Sequence, residues 1–322
     1  MEQYFAWHAQ CIEGRMTAKM TDNGAWKAAQ PTISVLIPFF RDDPTRLLAA
    51  LDREPTPGVE IVILDDGSGD PELAKRVANQ VKSLTLPVRF IALSANQGRS
   101  KGRNRLAAAA RGQWLLFLDS DMLPDAPTFL SAYLELVQKA APAVVFGGFS
   151  LDQAPPTAEH ALHRIMALQS DCAPASVRQQ SPEKYVFTSN LLVRRDVFET
   201  EAFDEGFAGW GWEDVEWAMR VSRRHAISHI NNTATHLGLD KAATMAAKYE
   251  QSAANFARVV AAHHDIVATY PSYKVARLLQ PMPLRSVWRP ALKMVALAEA
   301  APLMMRALAM RLYKAALYAE AV

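Results

Sequence analysis

The sequence predicts an α/β fold, a mostly parallel sheet flanked by helices, followed by a helical C-terminal region. Short β-branched apolar runs alternate with helical segments from residue 32 to about 147, the order that a parallel sheet with right-handed crossovers requires. Several runs end directly in Pro or Asp and a polar loop, as strands do at the carboxyl edge of an open sheet, where ligands bind. Beyond residue 240 the strand pattern stops and everything reads as helix. A chain of 322 residues, half of them apolar and 21% charged, fits one large domain or one domain plus an appendage and excludes a disordered protein.

Residues 1–30 are mixed and lack periodicity, so they read as an N-terminal arm whose Trp7 and Trp26 pack on the main domain. The main domain spans 31–240. Thr32–Pro38 (TISVLIP) is a central strand closed by proline. Asp43-Pro44 is a cap followed by proline, opening a helix through about Glu54. Val59–Asp65 (VEIVILD) is the second strand, Asp66-Gly67-Ser68-Gly69 a tight turn, and Asp70-Pro71 the start of a second helix. Pro87–Leu93 is the third strand. The basic segment SANQGRSKGRNR leads into an alanine-rich helix stopped by Gly112.

Trp114–Leu118 is the fourth strand, followed after Pro124 by a helix to about Ala140 and a short strand at Ala143–Gly147. Residues 150–184 are irregular, with a helix at His160–Ser170 and prolines marking the turns around it. Tyr185–Val193 reads as a strand, Glu201–Trp212 as a glycine- and aromatic-rich loop, and Glu213 opens a helix to about Arg224. Ala226–Ile230 is a short strand leading to Thr235-His236-Leu237-Gly238. The region 241–322 divides into three helical pieces at Pro271 and at the cluster Pro281, Pro283 and Pro290.

The net charge of +2 conceals an asymmetry: from Lys241 onward there are eleven Lys/Arg against four Asp/Glu. Arg285, Arg289, Lys293, Arg306, Arg311 and Lys314 are spread among Leu, Met, Val, Trp288 and Tyr313. That composition suits helices lying on an anionic membrane surface or, equally, a helical cap packed on the main domain. The two cysteines, Cys11 and Cys172, have no metal-ligand spacing and suggest a reducing compartment. The first residues hold no run of signal-peptide length, and no stretch of about twenty apolar residues occurs. The expectation is a cytoplasmic protein, peripheral at the inner face of a membrane if associated with one. No nucleic-acid partner is expected.

The chemistry starts at WLLFLDSDMLP. Asp119 and Asp121 repel each other at a strand end unless a divalent cation with a phosphate-bearing substrate joins them; a strand followed by a polar turn is the plainer reading. A dinucleotide-binding oxidoreductase would carry G-x-G-x-x-G after the first strand, where this chain has PFFRDD. A sugar nucleotidyltransferase would carry a glycine-rich basic phosphate loop there, and none is present.

SVLIPFF on the first strand, LDDGSGD after the second, NQGRSKGRN before the next helix, LDSDM and GWGWEDVE together resemble the family-2-type glycosyltransferases of GT-A fold, over roughly residues 32–240. The DSDM and WGWEDVE pair is most similar to chondroitin-polymerase-type, galactosyl- and N-acetylgalactosaminyl-transferring enzymes. The resemblance implies a UDP-sugar donor, a glycan or glycolipid acceptor and Mn²⁺ or Mg²⁺. It makes Asp121 a direct metal ligand and gives Asp119 the ribose or a metal-bound water. It places Asp66 at the uracil edge with Pro38 and Phe40 bordering the base, although a turn aspartate is also a good turn-former.

Arg99, Lys101 and Arg103 meet the diphosphate, brace the aspartates, or are a solvated helix start. His236 completes the metal site or is a structural histidine. Asp214 takes the place of the general base of inverting enzymes, where retaining polypeptide-modifying relatives carry asparagine. With Glu213 it is alternatively a first-turn acid favoured by the helix dipole. The acceptor side takes the irregular loop 150–184 together with Trp210, Trp212 and Glu213; the two rings offer flat faces to acceptor sugar or pack in the core. A scaffold that binds nucleotide sugar without turnover, and a retaining transferase of the same fold, are the remaining alternatives.

Overall fold

The computed structural model describes residues 18–322; the expectations for residues 1–17, Trp7 and Cys11 included, lie outside the described residues. Eight strands form the main sheet: β1 (Ala18–Asp22), β2 (Ile33–Phe39), β3 (Val59–Asp65), β4 (Val88–Leu93), β5 (Trp114–Leu118), β7 (Val144–Phe146), β9 (Asn190–Arg194) and β10 (Ile227–His229), in spatial order β1-β4-β3-β2-β5-β9-β7-β10. β4, β3, β2 and β5 are parallel, whereas β9 runs antiparallel to both β5 and β7. A second sheet joins β6 (Met122–Pro124), β11 (Ala234–His236) and β8 (Phe149–Ser150), in the order β6-β11-β8.

β3 and β5 are buried along their whole length, so their apolar runs show no alternation. The crossovers are α1 (Thr45–Leu51), α2 (Pro71–Ser83), α3 (Arg99–Ala109) and α4 (Phe129–Ala140). α2 starts where the sequence indicates: Asp70 accepts bonds from the Glu72 and Leu73 backbone N–H groups at 3.0 Å each, and Pro71 takes the first helical position. Two apolar layers, one around Val35, Ile61 and Phe129 and the other around Leu36, Phe117 and Trp217, cover the two faces of the sheet.

Beyond β8 come α5 (Ala161–Gln169), α6 (Ala175–Arg178), α7 (Arg195–Thr200) and α8 (Glu213–Ser222). The C-terminal region forms α9 (Ala242–Ala262), α10 (His264–Val267), α11 (Pro271–Leu279), α12 (Arg285–Leu297) and α13 (Leu303–Tyr318). These helices pack on α5 and α8 through a third core that includes Leu162, Met219, Phe256, Met310 and Tyr318.

Three local expectations change, while Trp26 packs on the main domain as expected. Ala18–Asp22, within the expected arm, pairs antiparallel with β4 as the edge strand of the main sheet. Trp26 is buried beneath the guanidinium groups of Arg111 and Arg89, 3.8 and 4.7 Å from its ring centroid. Tyr185 ends a 3₁₀ turn begun at Pro182, so the strand starts only at Asn190. Pro290 lies inside α12 rather than between helices. The carbonyl it leaves without a helical donor belongs to Ser286, an exposed residue.

Candidate active site

β5 ends at Leu118 and delivers Asp119 and Asp121 to the carboxyl edge of the parallel strands. Antiparallel pairing of β11 with β6 sets His236 opposite Met122, and Leu237 N–H donates to the Asp121 carbonyl at 2.9 Å. His236 Nε2 therefore comes within 3.2 Å of Asp121 Oδ2. Burial raises the Asp121 carboxyl, but the bond and charge of His236 more than offset it and hold the carboxyl below its usual range. Burial likewise pulls the imidazole of His236 down, and Asp121, Asp119 and Asp240 together hold it above its usual value. Gly238 makes room for this pair: a Cβ there would lie 2.0 Å from Asp121 Oδ2.

Arg103, from α3, is almost fully buried and donates from Nη2 to Asp119 Oδ1 at 2.6 Å. Of the roles open to it, bracing the aspartate is the one the geometry displays. Arg99, one turn earlier, pairs through Nε with Glu213 Oε1. Burial pulls its guanidinium down, but Glu213, Asp119 and Asp214 surround it and hold it up.

Glu213 and Asp214 open α8. Glu213 is buried; the cost of burial is outweighed by Arg99 and Arg103, which hold its carboxyl below the usual range. Asp214 accepts a bond from the Val215 N–H at 2.8 Å. Burial and the adjacent Glu213 push its carboxyl up to about 7, against the pull of Arg99 and Arg103. Two neighbouring carboxylates are thus driven apart in acidity, the arrangement that separates a charged positioning group from a proton-transfer group.

Asp66 follows β3 and accepts from Gln97 N–H and Gly98 N–H at 2.9 Å each and from Asn96 Nδ2 at 3.0 Å. A carboxylate has about four acceptor positions, so this clamp on the 96–98 loop leaves room for one further donor. Pro38 is in β2, and Phe40 stands exposed just after it with the Arg41 guanidinium 4.8 Å above its ring. Trp212 has turned inward: its Nε1 donates to Tyr318 OH at 2.9 Å and its ring lies 4.9 Å from Phe256. Trp210 packs more loosely, 6.1 Å from the Tyr249 ring, with Lys248 Nζ 5.8 Å away.

The structure adds residues that the sequence does not single out. His163 on α5 has its ring 6.0 Å from that of His236, accepts from Asp240 N–H through Nδ1 at 2.7 Å, and is pushed down to about 4 by burial and by His236. Asp42, after β2, is raised by burial and then by Asp121. Asn190 pairs with Leu118 across β9 and β5, so Thr188 and Ser189 enter beside the strand end that carries Asp119; their buried hydroxyls have no partner among the described residues. A histidine inside an amphipathic helix and hydroxyls before an apolar strand carry no sequence signal that separates them from ordinary packing.

Among the described residues no three His, Cys, Asp or Glu side chains form a ready metal cluster. Asp121 and His236 supply one oxygen and one nitrogen side by side. This donor set fits Mn²⁺ or Mg²⁺ when substrate phosphate oxygens and water complete the coordination.

The sequence model described as Glycosyl transferase family 2 matches residues 34–201. Validoxylamine A glucosyltransferase of Streptomyces hygroscopicus subsp. limoneus is 26% identical over 224 residues, 59% of this chain and 48% of that protein. The chain spans less than half the length of the curated relatives it matches. A mannosyltransferase from Pyrobaculum calidifontis, solved with GDP-Man and Mn²⁺, superposes with a TM-score of 0.57 at 14% identity, covering 97% of this chain and 92% of that one. S. aureus TarS residues 1–349, solved with UDP-GlcNAc, gives 0.51 at 18% identity over 88% and 89%.

Proposed function

The chain belongs to glycosyl transferase family 2, and on that premise we propose that it is a metal-dependent inverting transferase moving a hexose or N-acetylhexosamine from a UDP-sugar to a hydroxyl of a glycan or glycolipid. One observation carries the reading: Asp119, Asp121 and His236 gather at the carboxyl edge of the sheet, and Asp214 stands across Arg99 from them with a carboxyl poised near neutrality. A bound Mn²⁺ or Mg²⁺ supplies neutralisation of the leaving diphosphate. Asp121 and His236 are the residues that hold it.

Arg103 holds Asp119 through Oδ1, which leaves its second oxygen as the one to meet the donor. Asp66, anchored by residues 96–98, offers its remaining acceptor position to the base, and Pro38 and Phe40 border the ring. Asp214 takes the acceptor proton as the hydroxyl oxygen attacks the anomeric carbon, from the face opposite the departing UDP. Glu213 keeps the Arg99 guanidinium engaged, which places charge beside Asp214 without competing for its proton. Trp210 is the ring left nearest the acceptor side, since Trp212 is spent on packing.

The test is nucleotide release from a panel of UDP- and GDP-sugars with Mn²⁺, without acceptor. Release from a UDP-sugar that requires Mn²⁺ and is abolished by Asp121→Asn supports the reading. Release by the variant at the wild-type rate refutes it.

A further inference from the structure

The C-terminal helices leave an apolar face that no described residue covers. Of the twelve large apolar side chains exposed among the described residues, nine lie between positions 275 and 308. On α13, Met304, Met305 and Leu308 share one face, while Ala307, Met310 and Tyr313 turn into the core. On α12, Val287 and Met294 lie two turns apart on one face, with Pro290 and Ala291 exposed between them. Leu278 and Leu284, on either side of the preceding turn, are each 72% exposed. Helices that bury one apolar stripe and expose another are built to lie against something.

The charge of this stretch of chain is one-sided, although Lys293 is paired with Glu250 and Lys314 lies over the rings of Tyr249 and Tyr318. Residues 271–322 hold eight Lys/Arg against two Asp/Glu. Glu320 is taken by Arg289, which leaves Glu299 as the other acid. Lys274 and Arg277 are exposed beside Leu278, and Arg311 lies one turn beyond Leu308. The face continues onto α5, where Gln169 touches Arg311 at 2.6 Å and Met304 Sδ at 3.9 Å, and Leu168 is 51% exposed. The same short helix carries His163, whose ring adjoins that of His236.

We propose that this face docks onto an anionic lipid surface, with Leu284, Val287, Met304, Met305 and Leu308 entering the headgroup boundary and Lys274, Arg277 and Arg311 facing the lipid charge. Lipid is the occupant rather than a second copy, because two copies of one face would bring like positive rims together. No helix among the described residues is long and apolar enough to cross a membrane, so the contact is lateral. The docking stands on the exposed face alone. Its consequence, that α5 holds the acceptor side of the site near the surface and favours a lipid-linked acceptor, rests on the transferase reading.

The test is flotation of the full chain with vesicles of phosphatidylcholine alone or mixed equally with phosphatidylglycerol. The chain should float with the anionic vesicles only. A Met304→Glu/Met305→Glu/Leu308→Glu variant should stay unbound while its UDP-sugar hydrolysis is unchanged, which separates loss of docking from loss of the site. Lys274→Gln and Arg277→Gln should each weaken partitioning about fivefold at low salt. No flotation of the full chain at low salt would overturn the proposal, as would undiminished flotation of the triple variant. So would a solution dimer that the triple variant abolishes, which would assign the face to a second copy.

Discussion

Replacing Asp214 by asparagine should lower turnover and raise stability together, and the second effect should grow with pH. The wild-type carboxyl is raised from 3.8 to about 7 by burial and by Glu213, so the folded protein holds a proton that the unfolded chain has already released. The cost of ionising Asp214 is absent below about pH 4, grows as pH rises, and is complete above about pH 7, with a ceiling of about 4 kcal/mol. Asparagine keeps the volume and never ionises. Between pH 5.5 and 8.5 the stability advantage of the variant should therefore widen by about 2 kcal/mol, whatever its amide gains or loses locally.

Turnover should fall by about 10² to 10⁴, the usual worth of a positioned base. Urea unfolding at the two pH values reads the first effect, and UDP release reads the second. A gap that stays constant with pH would refute the electrostatic argument; a variant that turns over normally would remove Asp214 from the chemistry.

Other predictions test the neighbours. Glu213→Gln removes the charge that raises Asp214, so the acidic limb of the kcat/KM profile should move to lower pH; an unmoved limb would mean that the two carboxyls do not interact. Gly238→Ala places a methyl 2.0 Å from Asp121 Oδ2 and should lower kcat on the order of 10²-fold with the circular dichroism spectrum unchanged, since a misplacement of about 1 Å costs that much. Normal kcat would show that Asp121 need not hold its position. His236→Ala should weaken Mn²⁺ by roughly ten- to a hundredfold in a titration of UDP-sugar hydrolysis, and an unaltered titration would take His236 out of the metal site.

The central strands are legible in the sequence because strands covered on both faces are mostly apolar along their length, and because β2 ends one residue past Pro38, β3 ends on Asp65 and β5 runs directly into Asp119. The direction of β9 is not legible: its LLV run suits a parallel or an antiparallel neighbour alike, and only tertiary pairing with Leu118 fixes it. Pro290 misleads because proline marks a helix break in a local pattern, whereas here it sits inside α12, a helix that packs along α13. In the site, Asp119, Asp121, Asp214 and His236 are readable from motif order. The clamp on Asp66, the inward turn of Trp212 and the approach of His163 depend on contacts between segments at least thirty residues apart, which no local pattern encodes.

Inversion can be measured without knowing the acceptor. Hydrolysis of an α-linked UDP-sugar by the protein with Mn²⁺, followed by proton NMR within minutes and before the free sugar mutarotates, reports the face from which water attacks. With Asp214 as the base on the side opposite UDP, the first sugar to appear should be the β-anomer. An initial α-anomer would contradict the mechanism at its centre.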